Sequence, residues 1–592
     1  MVNPQSRYGL RHMLNKTVDG SLPAASARWS AVRLLEEGIP LGLTVAAAAE
    51  YERRCQELLE ELGELDPLLA LKLRSAALIA PSALRSAQCD LDTAATAATE
   101  LSRGAQLLGD EIARAYALAA WGMTRPGPEH TSRRVEVAEE VLDIAGRHGE
   151  TALIPVGYAL LLTGLLEQGE IRSLDTELLE RRAAMAELRE KPYANPVVWF
   201  RCLRLILDGE AAQAEQQAET LFEQSPRSGT VARALYTTQL GMIRWMQGRV
   251  DGVEEGFLAS RREYPEQLLW SASLAWLWHL QGRRTSSETM LRSLPPPPEI
   301  PRDRYWLSTI TVLAEIAVRG GTRENAMQLR ELLLPFADHL VPVGIGVSFW
   351  GTAARTLGLL EERLGLLDAA RTHLELAIET SGRTGALAWL AEAQIELAEF
   401  ALRHGLAEIP AYELLAEARM TSEARGFAAL AQRAMHRPHI RVLGSFEVVS
   451  LCGKRAVWTS RKARELLKML IAARGVPTSR EVFMDVLWPG ENPIALSNRF
   501  SVAVNVIRRA LDPERMRPTQ HHVVTEGDSI RLETEHVEID LERFLSLAGR
   551  QDEAGRLAAK RLYRGAAFSE EPYADWAVEV RDHAAHTRHL LG

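Results

Sequence analysis

At 592 residues the chain is too long for a single compact core and must divide into several domains or a repeat array. Hydrophobic residues make up 46% and charged residues 25%, the composition of an ordinary soluble protein. The net charge of −9 argues against a surface that coats nucleic acid everywhere, yet it permits one local basic domain.

The N-terminal MVNPQSRYGLRH has no apolar core of signal-peptide length, and no run reads as long and apolar enough to cross a bilayer. A cytoplasmic protein without a membrane partner is the expectation. Cys55, Cys89, Cys202 and Cys452 lie too far apart for a CxxC knuckle or a disulfide framework and are expected as buried small hydrophobes.

From about residue 29 to 433 almost everything reads as amphipathic helix, punctuated by Gly and Pro, with a nearly absent strand signal. Several helix pairs share one grammar: small residues on the first helix, a Gly-containing turn, then Ala at close-packing positions. The clearest copy is 353–378, with small Gly358 and a turn at Leu364-Gly365; weaker copies begin near Phe200, Gly241 and Leu277. A period in the mid-thirties to forties fits tetratricopeptide-like hairpins, which bury their apolar faces by stacking. Pro295 to Pro298, with Pro301, is expected to be non-helical and to kink the array at 295–301. Trp199, Trp245, Trp270, Trp276, Trp278, Trp306 and Trp350 are expected mostly in the inter-helix core.

At Arg437-Pro438 the texture changes. HIRVLGSFEVV alternates as a strand, and a second short strand ends near Val457. A helix follows from Thr459, with Ala463, Leu466, Leu467, Leu470 and Ile471 as its buried face and Arg461, Lys462, Arg464 and Lys468 mostly outside. Thr478 and Glu481 form a T-x-x-E capping box for a second helix that ends at Trp488-Pro489-Gly490. The next helix, 496–511, is apolar at Leu496, Phe500, Ala503, Val504, Ile507 and Leu511. Asn498, Ser501, Val502, Asn505 and Arg509 share its opposite side. Amides, a hydroxyl, a methyl-bearing residue and a guanidinium are the groups that read base edges in a major groove. VVTEGDSIRL then reads as a hairpin, and strands, three helices and a hairpin make a winged helix-turn-helix. Residues 454–517 carry 13 Lys/Arg against 6 Asp/Glu, the footprint of a phosphate-binding face.

RVLGSFEV, the SRKARELLKML helix, Leu487-Trp488, NRFSVAVNVIRRAL and the hairpin resemble the OmpR/PhoB-type winged helix of the Streptomyces antibiotic regulatory protein family. LYRGAAF, PYADW and Arg581 resemble the opening of the bacterial transcriptional activator domain that follows that winged helix. Upstream, DRYWLSTITVLAE and LLLPFADHLVPVGIGVSFWGTAARTLGLL resemble the tetratricopeptide region of large LuxR/MalT-like regulators. The resemblance implies an activator that binds direct-repeat promoter DNA, usually as a dimer, and contacts RNA polymerase. It places Asn498, Arg499, Ser501, Val502, Asn505, Arg508 and Arg509 at recognition-helix positions. By geometry Asn498, Ser501, Val502, Asn505 and Arg509 go to bases, while Arg499 and Arg508 go to phosphates, with Arg461 and Lys462 as further phosphate candidates.

Three features depart from the family. The wing reads Glu526, Gly527, Asp528, Ser529, Ile530 where a basic residue, Pro, Gly, Gly and Tyr are usual, and two carboxylates there would repel phosphate. Val506 stands where a further basic residue is frequent. The activator domain, 546–592, is expected to be truncated. The ATPase module of the large regulators has no counterpart motif, because Gly-Lys occurs only at Gly453-Lys454 without the upstream Gly of a P-loop. Residues 1–49 resemble the tail of such a module.

No Ser/His/Asp, Cys/His or HExxH arrangement emerges, so an enzyme is not expected. His583, His586 and His589 are spaced i, i+3, i+6 on a terminal helix and read as surface histidines, so neither a metal nor another cofactor is expected. The sequence thus points to a mainly α chain: a tetratricopeptide-like α-solenoid over 50–433, then a C-terminal α+β winged helix-turn-helix over 437–545. The expected function is promoter-binding regulation, with a protein or small-molecule partner at the solenoid. The alternative is a protein-interaction scaffold whose winged helix no longer grips DNA.

Overall fold

The computed structural model describes residues 22–39, 45–82, 88–180, 196–224, 230–250, 252–406, 408–435, 437–491, 493–550 and 553–591. Most of the expected ATPase-like remnant at 1–49 lies outside them. The fold is mainly α and forms two compact units, Met1–Leu387 and Ala388–Gly592.

The first unit begins with α1 (Leu22–Glu36), α2 (Val45–Leu62), α3 (Pro67–Ser82), α4 (Gln88–Leu108), α5 (Glu111–Met123), α6 (Thr131–His148), α7 (Ile154–Gln168) and α8 (Ile171–Glu180). It continues through α9 (Pro196–Leu207), α10 (Ala211–Glu223), α11 (Thr230–Met246), α12 (Glu254–Glu263), α13 (Leu268–Leu280) and α14 (Arg284–Arg292). It closes with α15 (Trp306–Gly320), α16 (Arg323–Leu333), the strands β1 (Leu340–Val343) and β2 (Ser348–Thr352), α17 (Ala353–Leu364) and α18 (Leu367–Thr384).

Sequential helices pack as hairpins, and the first helix of one hairpin packs on the first helix of the next: α9 on α11, α13 on α15, α15 on α17. The expected copy at 353–378 is the hairpin α17–α18. Thr352 caps α17 by accepting from the Arg355 N–H at 3.2 Å, and Gly365 ends it in the left-handed region, φ 83°. Gly358 is required by proximity, since a Cβ there would sit 2.6 Å from Leu374 Cγ on α18. Between hairpins, the buried Glu315 of α15 accepts from Arg355 Nη1 at 2.5 Å and Trp350 Nε1 at 3.1 Å, tying α15, β2 and α17 together. Burial raises its carboxyl, but Arg355 and Arg319 more than offset this and hold it below the ordinary value.

Three expectations for this region are corrected. Two strands form where the sequence carries almost no strand signal: β1 and β2 pair antiparallel, Pro342 opposite Phe349, and every residue of both is buried, so no polar alternation announces them. The proline run includes a turn of 3-10 helix at Pro297–Glu299. It does not interrupt the stack, because α13 and α15 pack directly across it. One stretch, Thr151–Gln168, is long and apolar enough to cross a membrane by length and composition; 72% of it is buried within the protein, against α6, α8 and β1 among others. Among the named Trp residues, 199, 270, 276, 306 and 350 are buried as expected. Cys55, Cys202 and Cys452 are buried free thiols.

The second unit contains α19 (Leu387–His404), α20 (Ala411–Arg425), α21 (Ala428–Arg433), β3 (His439–Arg441), β4 (Glu447–Val449), α22 (Arg461–Ala472), β5 (Thr478–Ser479), α23 (Arg480–Leu487) and α24 (Pro493–Leu511). The strands β6 (Val523–Glu526), β7 (Ser529–Leu532) and β8 (Glu538–Ile539) and the helices α25 (Asp540–Ala548), α26 (Glu553–Leu562) and α27 (Val578–Leu590) complete it. The single strand expected over HIRVLGSFEVV is in fact the hairpin β3–β4, broken at Gly444 with φ 100°. Near Val457 there is only one bridge, Val449 to Arg455. β8 adds parallel to β3, giving the order β4-β3-β8, and a second sheet runs β5-β7-β6.

One hydrophobic core joins Ile440, Leu467, Phe500, Leu532, Phe544, Phe568 and Ala584, so the expected border at 545/546 falls inside α25 and inside a shared core. Across the border expected at 433/437, Tyr412 of α20 donates to Glu538 Oε2 at 2.6 Å and stacks on His439 with ring centroids 4.2 Å apart.

Lys468 corrects another expectation. It is 1% exposed rather than outside, and its ammonium donates to Glu570 and Glu571 at 2.7 Å while lying 4.7 Å from the Phe446 ring. Arg464 reaches the same Glu570 at 3.0 Å. Lys468→Ala would leave the two adjacent carboxylates without their shared cation. The expected cost is about 2–3 kcal/mol, below the value for a fully buried pair because both carboxylates keep some solvent. Urea unfolding should show a lowered midpoint, with partial recovery on adding Glu571→Gln; an unchanged midpoint would contradict the bridge.

Candidate nucleic-acid interface

α24 presents its two faces as its periodicity dictates. Leu496, Phe500, Ala503, Val504, Ile507 and Leu511 are all buried in the core formed with α22, α23 and the β5-β7-β6 sheet. Asn498, Arg499, Ser501, Val502, Asn505 and Arg509 are exposed, Val502 by 61%. The helix starts one turn earlier than expected, at Pro493, whose missing N–H costs nothing in a first turn.

Among the described residues, Asn498, Asn505 and Arg509 make no side-chain hydrogen bond or ion pair, so their polar groups face solvent. Ser501 donates to the Ser497 carbonyl at 2.9 Å and keeps its acceptor lone pairs. Arg499 is ion-paired with Glu491 at 2.8 Å. On α22, Ser460 caps the helix through the Ala463 N–H at 3.2 Å, leaving Arg461 exposed in the first turn; Lys462 pairs with Glu465 at 3.2 Å.

Two expectations change here. Thr478 does not cap α23: its backbone belongs to β5, opposite Ile530, and the cap passes to Ser479, which accepts from the Glu481 N–H at 3.3 Å. Arg508 does not stand free as a phosphate arm. Its guanidinium donates to the Val523 carbonyl at 2.8 Å and to Thr525 Oγ1 at 3.4 Å, bracing α24 against the β6–β7 hairpin. Burial lowers its pKa, with Arg480 adding repulsion.

The hairpin turns at Gly527, φ 55°, with Glu526 opposite Ser529. Glu526 and Asp528 are exposed. The hairpin's own cation, Arg531, is committed to Glu526 at 3.2 Å and Glu533 at 2.6 Å.

Beyond α24 lies a basic groove that motif reading missed. Its volume is about 310 Å³, and it is lined by Asn505, Arg508, Arg509, Arg515, Arg517 and His522 among others. Asp512 organises it: its carboxylate accepts the Met516 N–H at 2.9 Å and the Arg517 N–H at 2.8 Å. The loop thereby holds Arg515 at φ 54°, an unusual conformation for a residue with a Cβ. Arg509, Arg515 and Arg517 are exposed without ion pairs among the described residues. The only sequence signal was the local surplus of basic residues, which does not say which of them converge.

No group of three or more metal-ligating side chains assembles among the described residues, and His583, His586 and His589 are exposed on α27.

At the floor of the groove His522 is buried, edge-on to His521, which stacks on His536 at 3.9 Å. Burial, reinforced by His521, pushes the His522 ring down to about 4. Its folded value lies below its unfolded one, so it stays neutral at pH 7. Protonation then opposes folding as pH falls from about 6.5 toward 4. An NMR titration should give His522 a midpoint near 4; a midpoint between 6 and 7 would contradict this packing.

No family model and no curated protein matches the chain. A solved structure described as "Structure of Naa15/Naa10 bound to HypK-THB" aligns with 96% of this chain and 94% of that chain at 12% identity. Its TM-score is 0.16, a likeness too slight to carry an argument about fold or function.

Proposed function

We propose that this chain is a DNA-binding transcriptional regulator. Residues 437–545 act as a winged helix-turn-helix on promoter DNA, and the stacked helical hairpins receive a protein or small-molecule partner. The observation that carries the reading is the exposed face of α24: Asn498, Ser501, Val502, Asn505 and Arg509 stand together beside the unpaired guanidiniums of Arg515 and Arg517. Hydrogen-bonding amides flanked by uncommitted cations match the division of labour between base readout and phosphate positioning.

In this reading Asn498, Ser501, Val502, Asn505 and Arg509 meet base edges. Arg461, Lys462, Arg499, Arg515 and Arg517 meet phosphates, and Arg508 positions the hairpin. The sequence resemblance to the antibiotic regulatory protein family adds RNA polymerase as a partner and a homodimer as the assembly.

A scaffold that has lost its grip on DNA is the second reading, favoured by the acidic turn Glu526-Gly527-Asp528 and by the internal neutralisation of Arg531. Selection from a randomised duplex library with the full chain separates the two. The DNA reading expects an enriched sequence whose affinity falls steeply with salt; no enrichment and a flat salt response would sink it.

On the selected duplex, Asn498→Ala or Asn505→Ala should relax preference at one base position and cost roughly 1–3 kcal/mol there. Arg515→Ala and Arg517→Ala should instead weaken all sequences alike and flatten the salt slope by about one unit each. Equal losses from all four variants on every sequence would refute these assignments. Glu526→Arg should tighten binding if the turn lies near phosphate, whereas unchanged affinity would show that it points away.

A further inference from the structure

The second unit contains a separate cleft, of about 130 Å³, between the α19–α20 helices and the β3–β4 strands. Leu402, Ile409, Ala411, Val449 and Leu562 give it apolar walls, and the stacked rings of Tyr412 and His439 close one side. Four guanidiniums, those of Arg441, Arg455, Arg543 and Arg564, border it.

Three of the four are committed. Arg441 pairs with Glu447 at 2.7 Å, Arg455 pairs with the same Glu447 at 2.8 Å, and Arg543 pairs with Glu538 at 2.8 Å and donates to the Leu402 carbonyl. Arg564 has no ion pair or hydrogen bond among the described residues; burial and then repulsion from Arg441 lower its pKa, against weaker attraction from Glu408, Glu447 and Asp540. The cleft therefore combines apolar walls with one uncommitted cation, the pattern of a small-molecule site.

We propose that this cleft binds a small organic carboxylate, its apolar body against the Tyr412–His439 stack and its carboxylate on Arg564. A cavity of about 150 Å³ accommodates benzene, so this slightly smaller cleft suits an apolar body of about that size or less, with the carboxylate outside it on the exposed Arg564. One negative charge is the fitting number. The first charge answers Arg564, whereas the second charge of a phosphate dianion would find no further unpaired guanidinium and would meet Glu408, Glu413, Glu447 and Asp540 in the same small space. The occupant would touch both the helical pair and the strands, and so would reinforce their packing. This site is independent of the DNA reading, and its test does not involve DNA.

Calorimetric titration and thermal unfolding of the full chain with benzoate and hexanoate, against benzamide and hexanamide, test the proposal. The carboxylates should bind saturably and raise Tm, with the amides at least about tenfold weaker. Arg564→Gln should lose about tenfold in carboxylate affinity. Because Arg564 is exposed, the Tm of the unliganded variant should not move. Amides that bind as tightly, a variant that keeps full affinity, or no saturable carboxylate binding at millimolar concentration would each overturn it.

Discussion

A helix that commits six side chains to one core has no freedom left in its other face. In α24 the burial of Leu496, Phe500, Ala503, Val504, Ile507 and Leu511 fixes rotation about the helix axis, and this alone sends Asn498, Ser501, Val502, Asn505 and Arg509 to solvent together. At about 1.5–3 kcal/mol per fully buried large apolar side chain, no surface contact competes with that term. The candidate interface is thus a by-product of packing. Arg508, at the edge between the two faces, shows where packing stops deciding: its guanidinium serves the hairpin.

The same core extends through the C-terminal helices. Phe544, Phe568 and Ala584 pack with Ile440 and Leu467, and Lys468 reaches Glu570 and Glu571 from the opposite side of the sequence. The helices that precede the strands are held by Tyr412 on His439 and Glu538. Any partner that shifts α20 would therefore act through aromatic and hydrogen-bonded contact on the β4-β3-β8 sheet, whose strand β4 touches α24.

Local periodicity made much of this legible. The faces of α22 and α24, the hairpin grammar around Gly358 and Gly365, and the tight turn at Gly527 depend on residues a few positions apart. What escaped depends on distant partners. Lys468 looks like surface because Glu570 and Glu571 are a hundred residues away. β1 and β2 show no alternation because both their faces are buried. Thr478 is a reasonable cap until Ile530 claims its backbone for a strand. The groove of Arg509, Arg515 and Arg517 needs the Asp512 turn to bring the three together.

That turn has an evolutionary consequence. Asp512 grips backbone amides rather than side chains, so the loop's path asks of residue 517 only an N–H and of residue 515 only tolerance of φ 54°. Substitutions there can accumulate without unfolding the loop. In the proposed DNA reading, the strength with which this surface would hold an anionic partner can drift within those limits, while the helix that would read the partner's identity stays anchored in the core.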